Sequence, residues 1–500
     1  MPTERLTFEG GLATQTERTA SPPNTLRELV NWVPEPAGGL RARTAWTGAS
    51  SETGAPATKE PLGALLLPAG GLDSAGILYV ANAGSSTSIT LYRMDMATGF
   101  VPMTGYTVGD TVSGLTAPVQ DHPVHFSDAG GIGLYIHPGM TALRSTNGVL
   151  PGSPPSGSCV AWYENRIFVG GQPGADRRVL YSAIGGATWG ASDWFDTSDL
   201  TRVVCLLPTQ YGLLIGKLGS LELLRGSGPD TFQRIVLDGG NCGRGHSMVS
   251  TPYGVVILGT RDAFLWDGGS VHHIDRLVDT ARVGAWWSAS YRKGKDYIAD
   301  GAGTTRKMWV LDLETQPFSW SQEYVAADGS SSPQVLHGVM PGIGDQLLGF
   351  TGGGVFGNRT ASRWGIHRLV EGTRAIDSLV TSAETFTART QGFFLGSARS
   401  PATVRYLYLQ IKQRGAAGTQ GFNVTPYADN VAQTTQPLDR ATGGVASSTG
   451  TALGDSVYRL RVDLGFTAYE VSFLFSHAAT GAPIFDIESA IVEYDVEEAR

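Results

Sequence analysis

Tyr211-Gly212-Leu213-Leu214-Ile215-Gly216 leading to Leu221-Glu222-Leu223-Leu224, then Tyr253-Gly254-Val255-Val256-Ile257-Leu258-Gly259 leading to Ala263-Phe264-Leu265-Trp266-Asp267-Gly268, is the stretch that decides the fold. The two copies begin 42 residues apart. Each reads as a turn, a short apolar strand, a Gly-containing turn and a second apolar strand. The apolar runs are continuous rather than alternating, the pattern of strands covered on both faces. Units of about 40–50 residues with several short strands have the size of propeller blades. A lone four-stranded blade cannot cover its two faces. Stacked radially, each blade buries them against two neighbours.

Looser copies flank this pair. Upstream are Gly76-Ile77-Leu78-Tyr79-Val80 with Ile89-Thr90-Leu91-Tyr92, Gly133-Leu134-Tyr135-Ile136 with Ala142-Leu143, and Asn165-Arg166-Ile167-Phe168-Val169-Gly170 with Val179-Leu180-Tyr181. Downstream are Lys295-Asp296-Tyr297-Ile298 with Met308-Trp309-Val310-Leu311-Asp312, and Gln346-Leu347-Leu348-Gly349-Phe350 with Val355-Phe356. The expectation is an all-β chain whose residues 61–375 form a β-propeller of six or seven blades. One or two β-sandwiches would also show strands at short regular spacing. The match between the two Tyr-Gly units favours the propeller.

From residue 376 the texture changes. Val404 to Lys412, Tyr458 to Leu464, Tyr469 to Phe475 and Phe485 to Tyr494 alternate with period two. Alternation marks half-exposed antiparallel strands. Residues 376–500 are therefore read as a C-terminal β-sandwich, with Asn423 to Gly454 as a long Gly/Ser/Thr loop. Residues 1–60 read as an extended N-terminal arm. One short helix is expected there, with Asn24 as N-cap, running through Leu26, Leu29 and Val30 and ended by Pro34 and Pro36. Such an arm cannot bury its own apolar residues, so Phe8, Leu29, Trp32 and Trp46 are expected to pack on the body or on a neighbouring subunit.

Composition narrows the function. The 500 residues exceed the roughly 250–300 at which one core stops growing. The apolar fraction of 41% suffices for substantial cores. Gly, at 67 residues, is about twice its usual share of roughly 7% and fits a chain full of hairpins. Lys+Arg number 37 against 45 Asp+Glu, a formal net charge of −8, with no basic run to neutralise phosphates. Specific DNA binding is not expected. The three cysteines Cys159, Cys205 and Cys242 form no CxxC pair and read as small buried hydrophobes of a reducing compartment. Neither a signal peptide nor a long apolar span is apparent, so a soluble protein made in the cytoplasm is expected.

Candidate chemistry is sparse. Ser182-Ala183-Ile184-Gly185-Gly186-Ala187-Thr188-Trp189 resembles the Asp box of sialidase-type propellers, with Ile184 at the Asp position; that box is a folding element. His272 and His273, next to Asp275, suggest a metal site, but neighbours on a strand point to opposite faces. Asp193, Asp196 and Asp199 surround an aromatic pair without calcium-loop spacing. GxSxG, GxxxxGK[ST] and a strand-placed GxGxxG are absent. Asn358-Arg359-Thr360 and Asn423-Val424-Thr425 match the glycosylation pattern, which carries no weight without secretion. Gly239 to Gly245 and Gly352-Gly353-Gly354 read as tight inter-blade loops, which in a ring would line the lumen or meet the next subunit. Trp286-Trp287 fits a blade core or a subunit interface. No catalytic, cofactor-binding or metal-binding residue is assigned, and the chain is expected not to be an enzyme.

Three phrases carry a resemblance: Phe8-Glu9-Gly10-Gly11-Leu12; Asn31; and Gly38-Gly39-Leu40-Arg41-Ala42-Arg43. With Leu180-Tyr181-Ser182-Ala183 and the closing strand Ile487 to Asp495, the chain resembles the tail nozzle, packaged-DNA stabilisation and tail or neck hub proteins of bacteriophages. The usual family phrase continues with Pro-Gly, where this chain has Thr44-Ala45-Trp46-Thr47-Gly48. The resemblance implies a virion structural protein forming a homo-oligomeric, hexameric ring below the portal and adaptor ring proteins. That ring would pass double-stranded DNA, retain it in the filled capsid, and dock tail fibre or tail tip proteins. A near-neutral to acidic conduit that does not hold its cargo agrees with this. The alternative from another class is a glycan-binding or glycan-cleaving propeller adhesin; a third is a cytoplasmic propeller scaffold that binds host proteins.

Overall fold

The computed structural model describes residues 2–13, 24–35, 37–42, 46–48, 61–67, 77–85, 88–95, 101–102, 111–113, 124–137, 140–141, 143–144, 152–186, 188–243, 245–274, 286–300, 308–315, 318–323, 334–341, 347–353, 365–369, 384–395, 400–413, 422–438, 450–454, 457–479 and 485–496. Among them, strands dominate and seven blades stand in a circle. The fourth blade shows the plan: Val203–Thr209 lies innermost, followed outward by Gly212–Lys217, Leu221–Arg225 and Gln233–Leu237. The third runs from Cys159–Tyr163 out to Trp194–Asp196, and the fifth from Met248–Thr251 out to Val271–His273. The seven innermost strands are Pro61–Leu67, His125–Asp128, Cys159–Tyr163, Val203–Thr209, Met248–Thr251, Trp286–Arg292 and Gln334–Pro341. Each touches the next, and the last touches the first. The second strands of blades four and five are buried almost throughout, as continuous apolar runs require.

The circle is closed by the arm. Blade seven takes its outermost strand from Trp46–Gly48, which pairs antiparallel with Gly365–Leu369. First and last portions of the chain thus share one sheet, and the ring cannot open without breaking that ladder.

The two Tyr-Gly units build one device twice. Thr209 Oγ1 donates to the Gly212 carbonyl at 2.8 Å and accepts from Tyr211 N–H; Thr251 repeats both bonds with Gly254 and Tyr253. Gly212 and Gly254 sit at φ 144° and 132°. A Cβ there would lie 2.4 Å from the Leu224 carbonyl and 2.3 Å from that of Trp266. The Tyr211 ring meets Trp266 of the next blade edge-on at 5.4 Å. The hairpin tyrosine is thereby a wedge between adjacent blades.

The remaining strands form a two-sheet sandwich in which the arm is an integral part. One sheet runs Trp32–Pro34, Leu40–Ala42, Phe485–Val496, Ala402–Gln413, Val457–Ala468, Gly450–Gly454, and Thr3–Leu6 also pairs with Phe485–Val496. The other runs Leu26–Val30, Glu384–Thr390, Glu470–Ala479, Phe422–Ala428, Val431–Ala432. Leu26–Val30 also pairs in parallel with Ser319–Glu323 through Val30 and Gln322, so blade six and the sandwich share one continuous sheet.

Two local expectations are corrected. Leu26–Val30 is a strand and not a helix. Leu26, Leu29 and Val30 are buried, a spacing that mimics a helical face. A bulge between Leu26 and Glu28 produces it by shifting the alternation one place. Five residues are also too few for a helix to hold without tertiary support. Part of the expected loop after Asn423 is strand as well, at Phe422–Ala428, Val431–Ala432, Gln436–Leu438 and Gly450–Gly454. Asn423 faces Ser476 in that ladder and Val424 is fully buried.

One apolar cluster joins the units. Phe8, Leu12, Leu26, Leu29 and Trp32 pack there with Trp309 and Trp320 of blade six and with Phe386, Phe473 and Phe475 of the sandwich. Phe8 meets Phe475 edge-on at 6.0 Å. Leu12 N–H donates to the Trp320 carbonyl at 2.7 Å, and Asn31 N–H to that of Gln322 at 2.8 Å. Gly11, at φ 64°, would place a Cβ 2.8 Å from the Trp320 backbone. Phe8→Ala is expected to cost about 3–5 kcal/mol, the usual cost of deleting a fully buried aromatic, and to lower the chemical denaturation midpoint of sandwich and blade six together.

Candidate functional site

Five side chains from four segments converge where the inner strands begin. They are His125 of blade two, Cys159 of blade three, Cys205 of blade four, and Cys242 and His246 of the linker between blades four and five; all three thiols are free and buried. Blades two and five are not neighbours, so contact between His125 and His246 spans the propeller axis. Their rings stack with centroids 5.3 Å apart and planes 13° apart. Val160 N–H donates to His125 Nδ1 at 3.3 Å, which puts the ring proton on Nε2. That Nε2 lies 3.5 Å from Cys205 Sγ, whose S–H donates to the Gly245 carbonyl at 3.0 Å. His246 Nε2–H donates to the Val124 carbonyl. Gly63 of blade one completes the closure: a Cβ there would lie 2.7 Å from the Val124 carbonyl and 3.4 Å from His246 Nε2.

Electrostatically the cluster is neutral. Burial pushes the His125 imidazole down to about 3, helped by the neighbouring His246. Burial also lowers His246, against the bond to Val124. The Cys159 thiol is pushed up to about 12 by burial, and Cys205 goes well above the ordinary thiol range for the same reason. Protonated thiols are poor nucleophiles and poor metal ligands. Among the described residues no group of three His, Cys, Asp or Glu side chains is placed to hold a metal ion.

A second polar cluster lies between blades three and four. Lys217, fully buried, places Nζ 2.5 Å from Asp199 Oδ1 and 3.1 Å from Glu222 Oε1. Glu222 Oε1 also accepts from Ser198 N–H and Oγ–H, each at 2.7 Å. Burial raises the Asp199 carboxyl, but Lys217, Ser220 and Thr201 outweigh it and hold the group below the usual carboxylate range. In blade five the matching positions are Gly259 and Phe264. The ion pair is therefore specific to one blade interface.

The sequence candidates among the described residues take separate places. Asp193 caps its own turn by accepting from Gly190 N–H, Asp196 pairs with Arg177 and Arg178, and Asp199 goes to Lys217, so the three carboxylates share no ligand. His272 bonds Asp267 at the surface, whereas His273 lies on Phe264; Asp275 is outside the described residues. The Asp-box-like segment is a blade-three turn. Ser182 Oγ accepts from Ile167 N–H at 2.9 Å, Ala183 N–H donates to the Thr188 carbonyl, and Ile184 is 68% exposed. Trp189 is half-buried. Gly352 and Gly353 belong to the strand Leu347–Gly353 and not to a loop, while Gly354 and Asn358 to Thr360 lie outside the described residues. Trp286 and Trp287 begin the inner strand of blade six, and their side chains are outside the described residues. The linker after Gly239 joins blades as expected, but Cys242 to His246 turn into the chain's own axis. Sequence reading missed this convergence; the one available signal is that a cysteine, Cys159 or Cys205, stands in two successive inner strands.

No family model matches the chain, and no curated protein matches it. Solved structures do match. A YCF48–D1 peptide complex is 14% identical over 70% of this chain and 99% of that chain, with TM-score 0.38. The WD40 domain of Neurospora crassa Pan2 is 9% identical over 67% and 98%, with TM-score 0.36. An exo-β-1,3-galactanase from Phanerochaete chrysosporium is 13% identical over 77% and 97%, with TM-score 0.26. These likenesses are too distant to bear on activity. The propeller rests on the chain's own blades.

Two predictions follow from the buried charges. Lys217→Met strands Glu222 and is expected to cost about 3–5 kcal/mol in urea unfolding, whereas Lys217→Met with Glu222→Leu recovers part of that loss. Asp296 in blade six is fully buried with both carboxyl oxygens unpaired, and burial alone pushes it from 3.8 up to about 8. The folded chain keeps a proton that the unfolded chain has released across that window, so stability falls as pH rises through it. Asp296→Asn is expected to remove this slope and to gain roughly 2–4 kcal/mol over the parent at pH 8.5 relative to its standing at pH 4.

Proposed function

We propose that this chain is a non-enzymatic structural protein of a bacteriophage tail or neck, working in the virion as a subunit of a hexameric ring. The observation that carries the reading is what the three resemblance phrases do. Phe8 and Leu12 fill the cluster between blade six and the sandwich, and Asn31, at φ 59° and 1% exposed, bonds Gln322. Gly38, at φ 86°, accepts from Phe8 N–H, and a Cβ on Gly39 would lie 2.8 Å from the Ile487 carbonyl. All three phrases serve the joint that sets the sandwich against the propeller. A rigid two-part subunit is what a ring wall under load needs. Head-to-tail contacts of such subunits close by rotation into a ring.

In this reading the ring continues the DNA channel below the portal and adaptor, retains packaged DNA and docks tail fibre or tip proteins. The net charge of −8 suits a wall that lets phosphates slide. The chain's own axis is not that channel, because His125 and His246 span it. No helix among the described residues is long and apolar enough to cross a membrane.

Mass measurement in solution, with and without the adaptor ring, tests the proposal. A six-fold assembly, or six-fold tail density in particles carrying the chain, is the expected result. A monomer under both conditions that binds or cleaves oligosaccharides would transfer the chain to the glycan-binding class.

A further inference from the structure

We propose that the axial closure is an acid-sensitive plug, in which protonation of the stacked His125–His246 pair releases the linker between blades four and five and exposes Cys205 and Cys242. This does not depend on the ring reading. It starts from geometry. The linker is anchored at the axis by three contacts: the His246 bond to Val124, the Cys205 bond to Gly245, and the His125–His246 stack. Each of these joins the linker to a different blade from the one it leads into.

The contacts require neutral rings. His125 Nδ1 accepts from Val160 N–H, so a proton added there ends that bond and sets two like dipoles against each other. A second imidazolium would then lie parallel to the first at 5.3 Å. Among the described residues, the groups facing the pair offer no counter-charge. Blade one presents Gly63, and blade three presents Cys159 with the Val160 backbone. Blade four presents Cys205, and Gly216 against Cys242. Arg202, which acts on Cys159, adds positive charge beside the cluster. Among the described residues, no carboxylate acts on either imidazole.

The sign follows from linkage. Both imidazoles are held below the ordinary value of 6.5, His125 to about 3. Below 6.5 the open form binds protons that the closed form rejects, so closure weakens as pH falls toward 3. The buried Asp296 has the opposite slope across the overlap of the two windows. Acid therefore stabilises blade six while it weakens the plug. Opening is local, confined to a linker outside the blade ladders.

Cys205 and Cys242 report the opening directly, because Cys205 bonds the Gly245 carbonyl of the linker and Cys242 lies in it. Labelling by 4,4′-dithiodipyridine, which reacts with thiols in acid, is expected to speed up about ten-fold or more between pH 7.5 and pH 4.5, with far-UV circular dichroism unchanged. Asp296→Asn should leave this rise in place. His246→Gln keeps an N–H donor for Val124 without a titrating ring, and should blunt the rise. Imidazole proton resonances of the parent chain should titrate with the same midpoint as the labelling, a readout that needs no variant. Labelling that stays flat to pH 4.5, an undiminished rise in His246→Gln, or a rise that coincides with loss of the strand signal would each overturn the proposal.

Discussion

The pairing of Trp46–Gly48 with Gly365–Leu369 is the constraint on which the rest of the molecule depends. Blade faces are apolar on both sides, as the fully buried Leu213–Ile215 and Val256–Leu258 show. A row of such blades would leave two sticky ends. The circle removes them, and a strand from the arm locks the circle. Hydrophobic burial supplies the drive and is not directional, so the ladder decides where the ring shuts.

The arm carries a second tie in the opposite direction. Leu26–Val30 bridges blade six and the sandwich, and Thr3–Leu6, Trp32–Pro34 and Leu40–Ala42 extend the other sheet. Residues preceding the propeller thus complete a domain that follows it. Neither unit is built from one continuous run of chain. The requirement for close approach is visible at Gly11 and Gly39, where backbone stands against backbone. This explains why the phrases that look most distinctive in the sequence bear no chemistry.

Polar groups in the interior are arranged to stay put. Lys217 pairs with both Glu222 and Asp199 between blades three and four. The two histidines and the Cys205 thiol at the axis are neutral and bonded to backbone. Asp296, by contrast, is a buried acid with neither carboxyl oxygen bonded. Such a group keeps its proton near neutrality and makes its blade interface sensitive to alkali.

The sequence by itself determined the all-β class, the blade unit and the alternating terminal strands. These rest on local periodicity: the runs at Leu213 to Gly216 and Val255 to Leu258, and the alternation from Val404 to Lys412, are written in neighbouring residues. It misled where a bulge shifted the alternation at Leu26 to Val30. Only the tertiary structure decided that Trp46 closes the ring, that Val30 joins two domains into one sheet, and that His125, Cys159, Cys205, Cys242 and His246 meet. Those contacts link positions tens to hundreds of residues apart. A single sequence carries no periodic trace of them, because what brings them together is the closing of a circle and not any spacing along the chain.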